Sequence, residues 1–234
     1  MPRPEPISFC FPVTGGQTTV EGVLHQPASD NASTPMLIVC HGRWNTMHLP
    51  LIADLCQRAA AAGWRALRFN FRYVTPKTDP SPDGSGELAD LEGALAALTS
   101  QFKPSPGRTY LAGKSLGAIV ASHAAVAHTG LGGYVALGYP LHGPGGSVAA
   151  DTRHLARLGC PALFVVGERD PFCRIDRLQP ILDTIPTSCT LSIIAGGDHS
   201  YRAPGAGERD ETYLPRAVDA VLDWLAVQAG DALL

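Results

Sequence analysis

At its centre the chain reads Leu111-Ala112-Gly113-Lys114-Ser115-Leu116-Gly117-Ala118. The apolar run at 109–112 predicts a short buried strand, and the alanine-rich residues 118–126 predict a helix. Ser115 therefore lies on a sharp turn between a strand and a helix, with a glycine two residues away on either side. Glycine suits both positions because a side chain there would crowd so tight a turn.

The spacing Gly113-x-Ser115-x-Gly117 is that of a nucleophile elbow, in which a serine hydroxyl stands free at the carboxyl end of a strand. The N-terminus of the following helix points at this serine and favours negative charge that develops there. Gly113-Lys114-Ser115 also ends the phosphate-binding P-loop motif, but that motif requires glycine where this chain has Arg108. The elbow is therefore the favoured interpretation.

The composition is that of an ordinary globular protein, with 45% hydrophobic and 17% charged residues among 234. This length suits a single domain, 1–234, and a net charge of −3 gives no reason to expect nucleic acid or an anionic membrane as a partner. Residues 1–6 lack the apolar run of a signal peptide, and no apolar segment reaches transmembrane length. Six cysteines without a C-x-x-C motif indicate buried thiols in a reducing compartment, so we expect a cytoplasmic location.

Predicted strands and helices alternate along most of the chain. Apolar and alternating patterns predict strands at 7–13, 18–25, 35–40, 64–71, 109–112, 133–138, 161–166 and 190–194. Helical spacing predicts helices at 49–62, 87–102, 118–126, 175–185 and 212–228. The first two strands form a hairpin joined by residues 14–17, and the alternation predicts a mostly parallel, doubly wound α/β sheet of about eight strands with helices on both faces. Ligands bind such sheets outside the carboxyl ends of the strands.

Three polar residues that follow predicted strands could form one catalytic site. A serine hydroxyl is a poor nucleophile near neutral pH, so it needs a base to accept its proton and a third group to orient that base. The chain supplies Ser115, Asp170 and His199 for these roles. His199 would act as the general base and then as the general acid for the leaving group, and Asp170 would fix the histidine tautomer.

A tetrahedral intermediate at Ser115 would need two N–H donors for its negative oxygen. One candidate is the backbone N–H of Leu116, directly after the nucleophile. The second is expected from the loop that follows the third strand, His41-Gly42-Arg43, where we favour the N–H of Arg43. These two N–H groups are the predicted oxyanion hole.

Several short sequence motifs match a known protein family more closely. They are Arg68-Phe69-Asn70-Phe71-Arg72-Tyr73, Gly113-Lys114-Ser115-Leu116-Gly117, Gly138-Tyr139-Pro140-Leu141-His142, His154-Leu155, Gly167-Glu168-Arg169-Asp170-Pro171-Phe172 and Gly197-Asp198-His199-Ser200. With them the chain resembles the α/β-hydrolase superfamily over essentially its whole length. Within that superfamily it is similar to the dienelactone-hydrolase-like predicted hydrolases, which include the testis-expressed and NSL-complex subunit-three families.

This resemblance implies the α/β-hydrolase fold and a triad in the chain order Ser115, Asp170, His199. Two departures from the group are visible: Ala118 replaces a frequent second glycine after the elbow, and 43–45 is bulkier than the usual glycine-rich loop. True dienelactone hydrolases use a cysteine nucleophile, so a serine at this position argues against that activity.

The chain between the strand ending at 138 and the strand starting at 161 is too short for the lid domain that many α/β-hydrolases carry there. We therefore expect no substantial cap domain and an open site. Its predicted rim holds the substrate-binding candidates: Arg43, Trp44, His48, Tyr73, His142, Phe172 and Tyr201. His48 and His142 are the alternative bases, but His142 precedes Asp170 and breaks the expected order. Arg43 and Arg72 would favour an anionic group on the substrate.

These observations predict a serine hydrolase that cleaves carboxylic esters or thioesters through an acyl-enzyme intermediate. The same residues could serve an acyltransferase, in which an alcohol or amine replaces water, and the fold could also belong to a non-catalytic interaction module. No cofactor is expected, and no metal site, because His123 and His128 are five residues apart on one helix and do not share a face. The expected partner is a small acyl substrate, and the sequence leaves the oligomeric state open.

Overall fold

Eight strands form one sheet in the computed structural model, which describes residues 4–13, 18–143, 150–205 and 212–230. The strands are β1 (Ile7–Pro12), β2 (Thr19–His25), β3 (Met36–Cys40), β4 (Arg65–Phe69), β5 (Thr109–Lys114), β6 (Gly133–Leu137), β7 (Ala162–Gly167) and β8 (Cys189–Ile194). Their order is β1-β2-β4-β3-β5-β6-β7-β8, in which β2 is antiparallel to both its neighbours and the other pairs are parallel. The predicted mostly parallel sheet is confirmed, and the predicted hairpin loop at 14–17 lies outside the described residues.

The central strands are buried along their whole length. Every residue of β3, β5, β6 and β7 is buried, and β3 is the continuous apolar run Met36-Leu37-Ile38-Val39-Cys40. Such runs are typical of parallel strands that are covered on both faces, since neither face then meets water. At the edge of the sheet, β8 is only partly buried, and Ile193 remains exposed.

Helices cover both faces of the sheet, as predicted. They are α1 (Pro50–Ala61), α2 (Ser85–Phe102), α3 (Leu116–Ala127), α4 (Ile175–Leu182) and α5 (Leu214–Ala229). Leu55 of α1 and Val221 of α5 belong to one buried cluster with Val39 of the sheet. On the other face, α2, α3 and α4 contribute to a second cluster, which includes Leu91 and Ala121. The sheet is therefore the middle layer between two hydrophobic cores.

Two short segments differ from the predicted pattern. The helix α4 ends at Leu182 rather than at 185, because the chain turns there and the Ile185 N–H bonds to the Leu182 carbonyl at 3.0 Å. Arg153–Arg157 forms a 3-10 helix that the sequence pattern did not predict. Five residues carry too little periodicity to indicate such an element.

The connection from β6 to β7, residues 138–161, leaves no room for a large insertion. A segment this short cannot bury a core of its own without disulfides, metals or a partner. Across residues 4–13, 18–143, 150–205 and 212–230, the fold therefore has no substantial cap domain. In the described ranges, no helix combines the length and the apolar composition needed to cross a membrane.

Parallel strands direct their carboxyl ends to the same edge of the sheet. At this edge β5 is followed by Ser115, β7 leads into the turn that holds Asp170, and β8 leads into the turn that holds His199. The loop after β3, which begins at His41, opens at the same edge. The topology thus brings the predicted catalytic residues to one place from widely separated parts of the chain.

Candidate active site

The turn between β5 and α3 holds Ser115 in a strained backbone conformation. Its φ of 54° and ψ of −116° lie in a region that residues with a Cβ rarely adopt. A Cβ on Gly113 would lie 2.1 Å from the Gly117 carbonyl oxygen, and a Cβ on Gly117 would lie 2.5 Å from the His41 oxygen. The turn therefore forms because these two glycines let three backbone segments approach closely.

We expect Gly113→Ala to destabilise the protein, since the new methyl group would overlap backbone atoms of Gly117. The free energy of unfolding should fall by about 3 kcal/mol, as for severe overpacking. Gly159→Ala is the matched control, because a Cβ there meets nothing within 4 Å. Urea unfolding followed by circular dichroism measures both variants, and equal stability of the two would contradict the packing of the turn.

One series of hydrogen bonds joins Asp170, His199 and Ser115. Nδ1 of His199 lies 2.7 Å from Oδ2 of Asp170, and Nε2 lies 3.1 Å from Oγ of Ser115. Because a carboxylate only accepts, Nδ1 carries the proton and Nε2 is left to accept the Ser115 hydroxyl. The second oxygen of Asp170 accepts the Phe172 N–H at 2.8 Å, which fixes the carboxylate plane. This is the geometry of a hydroxyl held by an oriented base.

Opposing influences act on the pKa of His199. Burial lowers it most, the Lys114 ammonium lowers it further, and the carboxylates of Asp170 and Asp198 act in the other direction; the net result is a lowered pKa. The ring of Phe172 packs against the imidazole with centroids 4.7 Å apart and contributes to its burial. Because its pKa is lowered, His199 remains neutral, and so able to accept a proton, at pH values somewhat below the ordinary histidine pKa of about 6.5.

The loop after β3 passes directly beside the serine. A Cβ on Gly42 would lie 3.3 Å from the Cβ of Ser115. The Gly42 carbonyl accepts hydrogen bonds from Nδ1 of His41 at 2.8 Å and from the Tyr73 hydroxyl at 3.3 Å. In a trans peptide the following N–H points opposite to the carbonyl, so these contacts fix the direction of the Arg43 N–H.

A cavity of about 420 Å³ opens onto Ser115 and His199. Its other walls combine apolar and basic side chains, including those of Trp44, Phe172, Leu214, Arg43 and Arg202. None of the described residues that line it is acidic. The arrangement leaves the serine hydroxyl accessible to a small molecule from the solvent.

Comparison with known proteins agrees with this architecture. A family model described as an alpha/beta hydrolase domain matches residues 33–226, which is most of the chain. The chain belongs to the α/β-hydrolase family. The match begins just before β3 and ends inside α5, so it includes the elbow, the loop after β3 and the residues predicted to form the triad. The predicted superfamily is thereby confirmed.

Solved structures of other α/β-hydrolases superpose on nearly the whole chain. A putative alpha/beta hydrolase of unknown function from Agrobacterium tumefaciens is 21% identical with a TM-score of 0.77, covering 97% of this chain and 98% of its own. A dienelactone hydrolase from Anabaena variabilis is 20% identical with a TM-score of 0.75, covering 96% and 99%. An α/β serine hydrolase without lid from Xanthomonas campestris is 19% identical with a TM-score of 0.68, covering 98% and 95%. At these identities the likeness shows the fold alone.

Two aromatic residues predicted at the rim of this hydrolase site are buried instead. The turn after β8 directs Tyr201 inward with a φ of 59°, and its hydroxyl donates to the Val165 carbonyl at 2.9 Å. Tyr73 is also buried, and it donates to the Gly42 carbonyl as described above. Neither tyrosine lines the cavity. Of the predicted rim residues, the structure places Arg43, Trp44 and Phe172 there.

The alternative bases of this α/β-hydrolase also lie outside the cavity. His142 is buried, and its Nδ1 donates to the Gly143 carbonyl at 2.9 Å. His48 is exposed, and its Nδ1 lies 3.3 Å from the Arg68 guanidinium. Within the described ranges, the histidine bonded to Ser115 is His199. The geometry therefore favours His199 as the base.

Sequence reasoning missed residues whose importance depends on side-chain direction. Arg72 does not serve the mouth of the site, because Nε and the backbone N–H both donate to the Asp90 carboxylate at 2.7 Å. Arg202 lines the cavity instead, and Lys114 borders it while its Nζ remains buried; the sequence pattern assigned neither residue to the site. One signal was available, since a lysine at the end of a strand buried on both faces has no path to solvent.

Proposed function

We propose that this α/β-hydrolase cleaves carboxylic esters or thioesters through an acyl-enzyme intermediate. The observation that carries the proposal is the continuous series from Asp170 through His199 to Ser115 at the floor of an open cavity. A scaffold that only binds partners has no need of a strained serine turn, a neutral oriented histidine and a carboxylate in hydrogen-bond contact.

In the first half-reaction, Oγ of Ser115 attacks the substrate carbonyl carbon while its proton moves to Nε2 of His199. The carbonyl oxygen takes up the electron pair of the broken π bond, and Asp170 stabilises the imidazolium. The oxyanion then re-forms the carbonyl while the bond from the acyl carbon to the leaving oxygen or sulfur breaks, and His199 gives its proton to that leaving atom, which leaves the acyl group on Ser115. Water repeats the sequence, with His199 as base, and releases the carboxylic acid.

The developing oxyanion would be stabilised by the backbone N–H groups of Leu116 and Arg43. Support for the first comes from its position, because Leu116 begins α3 and the first N–H groups of a helix have no partner within it. Support for the second comes from the Gly42 carbonyl, whose contacts with His41 and Tyr73 fix the neighbouring peptide beside the serine. Both donors would then be in place before substrate binds, as electrostatic stabilisation of an oxyanion requires.

The cavity suits a small or narrow acyl or alcohol group. Its volume of about 420 Å³ is at the lower end of ligand pockets, and no cap domain deepens it. Trp44 is 68% exposed beside the opening, with the Arg43 guanidinium 5.9 Å from its ring centroid. So large an exposed apolar side chain at a cavity mouth is available to cover a bound substrate.

We expect Trp44→Ala to raise KM about tenfold and to leave kcat within about twofold, because the ring would contact substrate equally before and during the reaction. Val227→Ala is the matched control, since that residue is 69% exposed on α5 and lies away from the cavity. Steady-state kinetics on a p-nitrophenyl ester measures both. A loss confined to kcat would contradict the role given to Trp44.

The proposed function is tested with a series of p-nitrophenyl esters and acyl thioesters of increasing chain length. We expect turnover that is best for short chains, together with a covalent acyl adduct in the intact mass of rapidly quenched protein. An added alcohol or amine that captures most of the acyl group would point to an acyltransferase. Absence of both turnover and adduct with every ester would contradict catalysis and favour an interaction module.

We also propose that the protein works in a reducing compartment, the cytoplasm. All six cysteines carry free thiols, and most of them are buried among apolar side chains. Buried thiols without disulfides are typical of proteins kept reduced. Imaging of a fluorescently tagged chain in its own cells tests the location, and secretion into the medium would contradict it.

A further inference from the structure

Lys114 is a buried cation directly before the nucleophile. It ends β5, its side chain is 4% exposed, and Nζ has no hydrogen-bond partner among the described residues. Leaving an ammonium group dehydrated and unpaired is among the most costly arrangements in a protein interior. Groups of this kind that persist are found mainly at functional sites.

The ammonium of Lys114 and the ring of His199 approach the same point beside Gly138. A Cβ on Gly138 would lie 2.9 Å from Nζ of Lys114 and 3.3 Å from both Nδ1 and Cε1 of His199. The amine and the imidazole therefore share one gap at the end of β6, which the absence of a side chain on Gly138 keeps open. The ring of Tyr201 also lies near the ammonium, with its centroid 5.9 Å from Nζ.

The charges around this gap come from the turns after β7 and β8. Asp170 and Asp198 act on both Lys114 and His199. Burial raises the pKa of Tyr201 far above its usual value and that of Cys173 to about 12, so both stay neutral. Burial also lowers the pKa of Lys114 to about 8, which leaves the amine charged at neutral pH.

Neither substrate binding nor packing accounts for a lysine at this position. Nζ is shielded from the cavity and from solvent, so it cannot contact a bound molecule directly. Tyr201, whose ring centroid lies 5.9 Å from Nζ, belongs to a buried apolar cluster, and an uncharged side chain of similar length would pack there without the cost of dehydration. What remains specific to lysine is its positive charge, a few ångströms from the triad.

We propose that Lys114 is a positioning residue of the triad: its ammonium opposes a second positive charge on His199, so that the base stays neutral into more acidic solution. This inference rests on the proposed function, because it assigns a role to a charge that acts through His199. It concerns the pH range of the enzyme rather than the chemical step itself.

The test is the rate at which a fluorophosphonate labels Ser115, measured from pH 4.5 to pH 9 in the whole protein. Lys114→Met removes the positive charge that disfavours protonation of His199, so the pKa of His199 rises. The acid limb of the plot of labelling rate against pH then moves up by roughly one pH unit. At pH values below the acid limbs of both profiles, Lys114→Met should be labelled about tenfold more slowly than the parent protein. At pH 8.5 the two labelling rates should agree within about twofold. Lys114→Gln, a shorter polar replacement, should shift the limb in the same direction.

Asp198→Asn is a control that should move the acid limb in the direction opposite to the lysine variants. Its Oδ1 accepts the Ser200 and Arg202 N–H groups at 2.8 and 2.9 Å, contacts that an amide oxygen can keep. Removing this negative charge should lower the pKa of His199 and move the acid limb down. A second readout without labelling is the NMR titration of the His199 ring in Ser115→Ala, with and without Lys114→Met.

The outcomes separate the two proposals. An acid limb that moves up in both lysine variants supports the role of Lys114. Labelling of the parent protein with no shift in either variant would overturn that role and leave the hydrolase function intact. Unfolding of both variants would assign Lys114 a structural role and would also overturn the inference. A parent protein that is not labelled at any pH would overturn the hydrolase function, and the role of Lys114 with it.

Discussion

Ser115→Ala will abolish ester cleavage, with a loss in kcat of about a thousandfold or more, while the protein remains folded. In the described ranges, the side chain bonded to Nε2 of His199 is that of Ser115, so the variant leaves no side-chain nucleophile beside the base. Triad members act as a unit, and removal of the nucleophile in other serine hydrolases costs at least this much.

Stability should not change with this substitution. Serine and alanine both carry a Cβ and meet the same strain at a φ of 54°, so the turn is neither relieved nor worsened. Ser122→Ala is the matched control: Ser122 lies on α3, and its Oγ is 2.8 Å from Nε2 of His154, away from the cavity. Ester turnover and urea unfolding measure both variants. A Ser115→Ala protein that retains turnover, or a Ser122→Ala protein that loses it, would contradict the assignment of the nucleophile.

Asp170→Asn is expected to lower kcat by up to about ten-thousandfold at neutral pH. An asparagine side chain can donate its NH₂ to Nδ1 of His199, which then becomes the acceptor. The proton moves to Nε2, and Nε2 can no longer accept the Ser115 hydroxyl. The contact from the Phe172 N–H to the side-chain oxygen can persist, so the turn after β7 should keep its shape.

The matched control for this variant is Asp176→Asn. Asp176 is an exposed aspartate at the start of α4, paired with Arg174 at 2.6 Å. Its loss removes a surface ion pair, which is worth little, and should leave kcat unchanged. The double variant Asp170→Asn/His199→Ala should be no slower than His199→Ala alone. If the loss of kcat in the double variant equals the product of the losses in the two single variants, the two residues act independently, which would contradict the triad.

The sheet was predictable because its strands leave little ambiguity. A run such as Met36–Cys40 is apolar at every position, and so short a run is typical of a strand covered on both faces. The same reasoning locates Ser115, Asp170 and His199, since each follows a strand of known direction. Parallel strands then bring them to one edge without any knowledge of side chains.

The surroundings of the triad depend on loop geometry, which the sequence pattern does not carry. Tyr201 follows His199 by two residues, yet a left-handed backbone turn directs it into the core. Tyr73 similarly turns inward to bind the Gly42 carbonyl rather than a substrate. Lys114 belongs to the elbow motif, but the space around its unpaired Nζ depends on Gly138, which is remote in sequence and adjacent in space.

The most direct test of the central claim is labelling of the purified protein with a fluorophosphonate, followed by mass mapping of the modified peptide. It asks whether the serine is activated and does not require the natural substrate. We predict a single label on Ser115 that is lost in His199→Ala. No label on a folded protein, or a label on another serine, would contradict the assignment of Ser115 as an activated nucleophile.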